Sequence, residues 1–190
     1  MAFHRTIEDL IFIDFDDPAF PDGVLANSSD EVEVNGFEFV ATTPLGADAS
    51  ITFDYTHTES ETNSNGAQLD DIPEDIAKLI FNWDPSGQRF GASASLNYVG
   101  DVTDTFSTGL PGARMSVTEN HGDYATLDLA GYVYLDDNEQ HRLGLRVENV
   151  FDEDYVTQIR TADRDADSFR YGVDALGTPL TATLSYTFKY

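Results

Sequence analysis

Alternate residues of the stretch LTATLSYTFKY are apolar: Leu180, Ala182, Leu184, Tyr186, Phe188 and Tyr190 share one parity, and Thr181, Thr183, Ser185, Thr187 and Lys189 share the other. Extended backbone sends successive side chains to opposite faces, so this stretch predicts a strand with one apolar and one polar face. Such a strand separates two environments. In a soluble sandwich the apolar face turns inward; in a membrane barrel it turns outward to lipid and the polar parity faces the lumen.

The same alternation recurs along the chain. From Ala49, Ile51, Phe53 and Tyr55 oppose Thr52, Asp54 and Thr56; from Gln88, Phe90, Ala92, Ala94, Leu96 and Tyr98 oppose Arg89, Gly91, Ser93, Ser95 and Asn97. The segment from Ala125 sets Leu127, Leu129, Val133 and Leu135 against Thr126 and Asp128, and that from His141 sets Leu143, Leu145 and Val147 against Arg142, Gly144, Arg146 and Glu148. Weaker strand patterns cover Phe3 to Phe15, Val32 to Ala41 and Ala77 to Trp83, which brings the expected total to eight. For the region around Ala77, a short helix with Pro73 near its start is the alternative, since Ile76, Leu79 and Ile80 fit a helical stripe.

The connections narrow the architecture further. TTPLGAD, WDPSGQ and LDDNEQ are short turns, whereas the links Asp16 to Glu31, Glu59 to Asp75, Gly100 to Asp123 and Thr157 to Pro179 are long and polar. Short and long links alternate. In an up-and-down antiparallel sheet this puts every short turn at one end and every long loop at the other, the asymmetry of outer-membrane barrels. No run approaches the roughly 18 consecutive apolar residues of a membrane helix, so a membrane reading requires strands. Lys and Arg number 10 against 35 Asp and Glu, a net charge of −25, which disfavours nucleic acid as a partner and a basic patch as a membrane anchor.

The stretch LRVENVFDEDY, from Leu145 to Tyr155, followed by a long loop and the alternating C-terminal strand, resembles the C-terminal signature of TonB-dependent outer-membrane receptors. That family's penultimate strand carries L-x-V-x-N-L-F-D-x-x-Y, matched here by Leu145, Val147, Asn149, Val150, Phe151, Asp152 and Tyr155, with Val150 standing for Leu. The segment VNGFEF, with Gly36 and Glu38, is similar to the mid-barrel part of the same receptors. The resemblance implies an all-β chain of about eight antiparallel up-and-down strands, residues 1–190 being the C-terminal section of a large transmembrane β-barrel in the bacterial outer membrane. It also implies a plug domain and signal peptide outside this chain, and active import of an iron chelate, cobalamin or carbohydrate. The implied partners are outer-membrane lipid, the barrel assembly machinery and, through the part outside this chain, TonB. A complete small eight-stranded barrel and a soluble acidic β-sandwich with a binding role stay open as alternatives.

The residues of the signature are expected to act structurally, Asp152 as a turn former and Phe151 and Tyr155 as interfacial aromatics. Tyr186, Phe188 and Tyr190 resemble the C-terminal signal read by the assembly machinery, and serve equally as an aromatic girdle. The C-terminal strand is expected to pair with Leu143 to Phe151 on one side, leaving its other edge free or closed onto Phe3 to Phe15. No enzyme is expected: the histidines His4, His57, His121 and His141 lack metalloenzyme spacing, and no HExxH, GxSxG or phosphate-cradling loop occurs. One stretch carries metal-ligating chemistry. In ADRDADSFRYGVD, Asp163, Asp165, Asp167 and Asp174 fall at the first, third, fifth and twelfth positions of a calcium loop. Ser168 stands where the turn glycine belongs and Asp174 where the bidentate glutamate does, so a solvated acidic loop competes with calcium as the one expected cofactor.

Overall fold

The computed structural model describes residues 1–14, 24–27, 30–62 and 69–190. Among them the backbone is strand and turn: β1 (Ala2–Ile7), β2 (Ile11–Asp14), β3 (Val24–Asn27), β4 (Val32–Leu45), β5 (Ala49–Thr62), β6 (Asp75–Trp83) and β7 (Phe90–Val99) come first. They are followed by β8 (Val102–Thr108), β9 (Met115–His121), β10 (Tyr124–Tyr134), β11 (His141–Glu148), β12 (Val156–Asp163), β13 (Arg170–Leu176) and β14 (Thr181–Phe188). One antiparallel sheet of eight strands runs β1-β4-β5-β6-β7-β10-β11-β14, while β2–β3, β8–β9 and β12–β13 form separate hairpins. The eight sheet strands correspond to the eight expected from alternation. Strand β3 and the hairpins β8–β9 and β12–β13 sit inside long links that composition reads as plain loops.

Two expectations are corrected. The segment Phe3 to Phe15 is not one strand: β1 ends at Ile7, Asp9 takes a left-handed φ of 57°, and Ile11 begins a hairpin with β3. Aspartate tolerates that conformation better than most residues, and so breaks an apolar run without glycine or proline. Phe15 and parts of the links Asp16 to Glu31 and Glu59 to Asp75 lie outside the described residues. The helix alternative around Ala77 also fails. In β6, Ala77, Leu79 and Phe81 pair with Tyr55, Phe53 and Ile51, whereas Ile76 and Ile80 share the opposite face with Lys78.

Cross-strand partners share a face, so the registers extend each strand's parity across the whole sheet. One face carries Phe39, Tyr55, Ala77, Tyr98 and Ala125 in a continuous series of paired neighbours, and lower down Phe53, Leu79, Leu96 and Leu127. Leu129, Val147 and Ala182, then Leu145 with Leu184 and Leu143 with Tyr186, continue it to the last strand. The other face carries Asp54, Lys78, Asn97 and Thr126 in one row, with Ser95 beside Asp128 and Arg146 beside Thr183.

The apolar face is left open. Leu184 is 70% exposed, Leu145 50% and Leu129 41%, and Val32 and Val102 are the buried apolar side chains among the described residues. A sandwich would stack a second sheet about 10 Å away over such a face. None of the three hairpins does so: β8–β9 and β12–β13 lie against each other, joined at a bridge between Gly109 and Arg170, and none packs on the strands of the sheet. The sandwich alternative is therefore not realised. Nor do these eight strands close alone: β1 pairs only with β4 and β14 only with β11, which leaves two open edges.

Candidate functional site

Leu145 and Val147 end β11 on the apolar face, paired with Leu184 and Ala182. Immediately beyond, the chain must leave the sheet, run out through the β12–β13 hairpin and return as β14. Asn149 holds both passages. It is 2% exposed and left-handed at φ 51°, a conformation that asparagine adopts with less strain than other non-glycine residues. Its side-chain amide donates to the carbonyls of Glu153 at 2.9 Å and Thr178 at 3.0 Å, and its Oδ1 accepts the Glu153 N–H at 3.0 Å. Its own N–H donates to Asp128 Oδ1 on β10 at 3.0 Å. Asp152, also left-handed at φ 53°, takes the Leu180 N–H on its Oδ1 at 3.3 Å. Exit and re-entry are thus tied across an insertion of more than twenty residues, while Phe151 stays exposed beside them.

Tyr155 completes this junction. Its ring stacks on Tyr124 with centroids 4.2 Å apart, its hydroxyl accepts the Thr178 N–H at 3.2 Å, and Gly177 lies against its ring. A β-carbon at Gly177 would fall inside the ring, which is anchored at both ends and cannot swing away freely. Gly177→Ala is therefore expected to break the Tyr124–Tyr155 stack at a cost of about 1–3 kcal/mol, read as a lowered urea midpoint. Tyr155→Leu with Gly177→Ala should recover part of the loss. An unchanged midpoint in Gly177→Ala would remove the ring from this role.

At the opposite end of the sheet, Tyr186 hydrogen-bonds His141 Nδ1 at 2.6 Å and Phe188 lies 4.9 Å from the same imidazole. Tyr190 follows β14, fully exposed. Aromatic residues thus gather where the short turns are.

The four aspartates of the calcium pattern do not converge. Asp163 ends β12 and makes a two-pronged pair with Arg170, through Nε at 2.8 Å and a second nitrogen at 3.0 Å. Asp167 makes another with Arg164, and accepts the Phe169 N–H at 3.2 Å. These guanidinium hydrogen bonds hold both carboxyls below the usual carboxylate range. Asp165 lies in the turn between them, and Asp174 stands within β13 opposite Ile159. The stretch is a hairpin closed by arginines rather than a loop curled round a cation. Among the described residues no three His, Cys, Asp or Glu side chains form a metal-holding group.

A cluster that spacing gave no reason to join lies among the long loops. Asp104 of β8 is 4% exposed; its Oδ2 meets His121 Nε2 of β9 at 2.9 Å and accepts the Ile159 N–H of β12 at 2.9 Å. The link entering β6 joins them, the Asp71 N–H donating to the Thr103 carbonyl at 3.1 Å, and burial together with the neighbouring Asp104 holds the Asp71 carboxyl above its ordinary value. Thr108 donates to the Arg170 carbonyl at 2.9 Å, and the Phe106 ring covers Gly172. Three long links are thereby packed as one body over the loop end of the sheet.

The family model for the TonB dependent receptor-like beta-barrel matches residues 2–150. No curated protein sequence matches the chain. Among solved structures, the ferripyoverdine receptor of the outer membrane of Pseudomonas aeruginosa, bound to ferripyoverdine, aligns with a TM-score of 0.75 and 20% identity, over 98% of this chain and 24% of that one. The siderophore receptor PiuA from Acinetobacter baumannii gives 0.68 and 21%, over 100% of this chain and 25% of its own. The ferric-catecholate import receptor Fiu from E. coli K12 gives 0.64 and 18%, over 98% and 24%. The chain spans about a quarter of the length of the receptors it resembles.

Proposed function

The chain belongs to the TonB-dependent receptor β-barrel family, and from that premise we propose that it forms the C-terminal eight strands of an outer-membrane importer whose cargo is an iron chelate. The family is one of receptors and transporters of the bacterial outer membrane, not of enzymes. The observation that carries the reading is a single open eight-stranded sheet, apolar on one face from β4 to β14 and polar on the other, with its short turns at one end and its hairpin-bearing loops at the other. Lipid tolerates no unpaired strand edge, so β1 and β14 belong against further strands of a longer receptor.

Cargo binding and energy from TonB then belong to the longer protein. Cobalamin or a carbohydrate is the alternative cargo; the ferric ligands named for the similar receptors favour the iron chelate. Insertion by the assembly machinery would use the aromatic terminus Tyr186, Phe188 and Tyr190.

Cysteine scanning tests the membrane assignment directly, because the segment has no cysteine of its own. In the intact receptor, single cysteines at Asp54, Ser95, Arg146 and Ser185 are expected to react with a water-soluble maleimide through the lumen. Those at Phe53, Tyr55, Leu96, Leu145, Val147, Leu184 and Tyr186 should be spared. The inverse pattern would defeat the assignment.

A further inference from the structure

We propose that Arg114, at the tip of the β8–β9 hairpin, receives an anionic oxygen group of the cargo, so that the imported iron chelate is an anion with an apolar flank. The inference rests on the importer reading above and adds to it the charge of the cargo. Gly109 and Arg170 exchange backbone hydrogen bonds in both directions at 2.9 Å, and there the β8–β9 and β12–β13 hairpins meet. Gly109 has a φ of 119°, and a β-carbon on it would fall 2.7 Å from the Ala113 carbonyl oxygen and 3.3 Å from Arg114 Cα. Glycine thus lets the turn fold back on the bridge and bring Arg114 against it. The Ala113 N–H closes that turn on the Leu110 carbonyl at 3.0 Å.

The four long links hold Arg114, Arg160, Arg164 and Arg170 and no lysine. Arg170 is paired with Asp163 through two nitrogens, and Arg164 with Asp167. Arg160 belongs to the other face of β12, its parity being opposite to that of Asp163. Arg114 is the exception beside the bridge: among the described residues no carboxylate pairs with it, and its Nε is buried without an acceptor. Asp163 is the carboxylate its charge reaches, and both oxygens of that group are taken by Arg170. Asp165, in the turn beyond, is exposed. A guanidinium keeps its proton, so a buried donor of this kind calls for an acceptor from outside the two hairpins.

The same turn carries Leu110, 46% exposed, and Met115 follows Arg114 at 67%. One planar, two-donor fork between apolar side chains suits oxygen anions on an apolar or aromatic frame, the charge meeting the fork and the frame covering Leu110 and Met115. Iron chelates built from catechol groups have this composition. A neutral trihydroxamate complex brings no charge for Arg114. The net charge of −25 opposes unspecific gathering of anions on the loops, so selection falls to the one fork.

The experiment measures equilibrium binding of two radiolabelled iron complexes to the intact receptor: the trianionic ferric tris-catecholate and a neutral ferric trihydroxamate. Heat-modifiable gel mobility confirms that each variant is assembled. The trianion is expected to bind and the neutral complex to compete poorly with it. Arg114→Gln should weaken the trianion by about tenfold or more, the worth of a charge-assisted pair, and leave the neutral complex unaffected. Arg114→Lys keeps the charge without the fork and should recover part of the loss; it carries the test where Arg114→Gln does not assemble. Arg160→Gln, on the other face of β12, should bind like the parent. Equal affinity of parent and Arg114→Gln for the trianion, or a parent that prefers the neutral complex, overturns the inference and leaves the importer reading standing. An assembled receptor that binds neither complex overturns the iron-chelate reading as well.

Discussion

Asn149→Ala is expected to destabilise the barrel by about 3 kcal/mol or more, and to reduce the assembled fraction recovered from outer membranes accordingly. The change removes one acceptor and two donors from a fully buried side chain, stranding the Glu153 N–H and the carbonyls of Glu153 and Thr178. Each buried polar group left without a partner costs about 1–3 kcal/mol, and alanine adds about 1–2 kcal/mol for the left-handed backbone that asparagine accepts more readily. Two further variants separate these contributions. Asn149→Gly relieves the backbone but loses the same hydrogen bonds, so it should fall between alanine and the parent. Asn149→Asp keeps the acceptor for Glu153 N–H yet turns a carboxylate toward two carbonyls, and should be nearly as damaging as alanine. Denaturant unfolding in lipid vesicles, with heat-modifiable mobility as the assembly readout, measures all three. A stable Asn149→Ala barrel would show that the loop finds its own way back to β14.

Asn149 also marks where reading the sequence reaches its limit. Its place in a family signature was legible from Leu145, Val147, Phe151, Asp152 and Tyr155, but its partner Thr178 lies 29 residues away in sequence and no local pattern links the two. Strands were legible wherever one face meets lipid, because Phe53, Leu79 and Leu96 must then alternate with polar residues. In the outer hairpins, where even a buried position holds a carboxylate such as Asp104, that signal vanishes. In β8 and β9 the cross-strand pairs are Thr103 with Asn120 and Thr105 with Thr118, whose hydroxyls and amides bond across at 3.2 and 3.1 Å, and nothing in their hydropathy distinguishes them from loop. The four aspartates of the calcium pattern are held apart for a different reason. The pattern counted carboxylates and passed over Arg164 and Arg170, which neutralise two of them once the chain turns into a hairpin. The Asp71, Asp104 and His121 cluster is assembled from separate links, so only the fold brings it together.

The assignment of faces predicts an asymmetry between two substitutions placed side by side. Leu129 lies at the middle of β10, five residues from Tyr124 and five from Tyr134, and pairs with Ala94 and Val147 on the apolar face. At about 3.3 Å per residue and a strand tilt near 40°, that places it about 13 Å from either end of the strand, close to the midplane of an apolar band about 25 Å tall. Ser93 pairs with Ala130, the next residue along β10, and so occupies the polar face at almost the same depth. Leu129→Arg is expected to cost about 2–4 kcal/mol, because a guanidinium there has neither water nor a carboxylate within reach. Ser93→Arg should stay within about 1 kcal/mol, since its long side chain extends into a hydrated lumen already lined by Asp128 and Arg146. Equilibrium unfolding of the two receptors in phospholipid vesicles gives the comparison. Equal losses would mean that both faces are packed against protein, and a larger loss for Ser93→Arg would turn the barrel inside out.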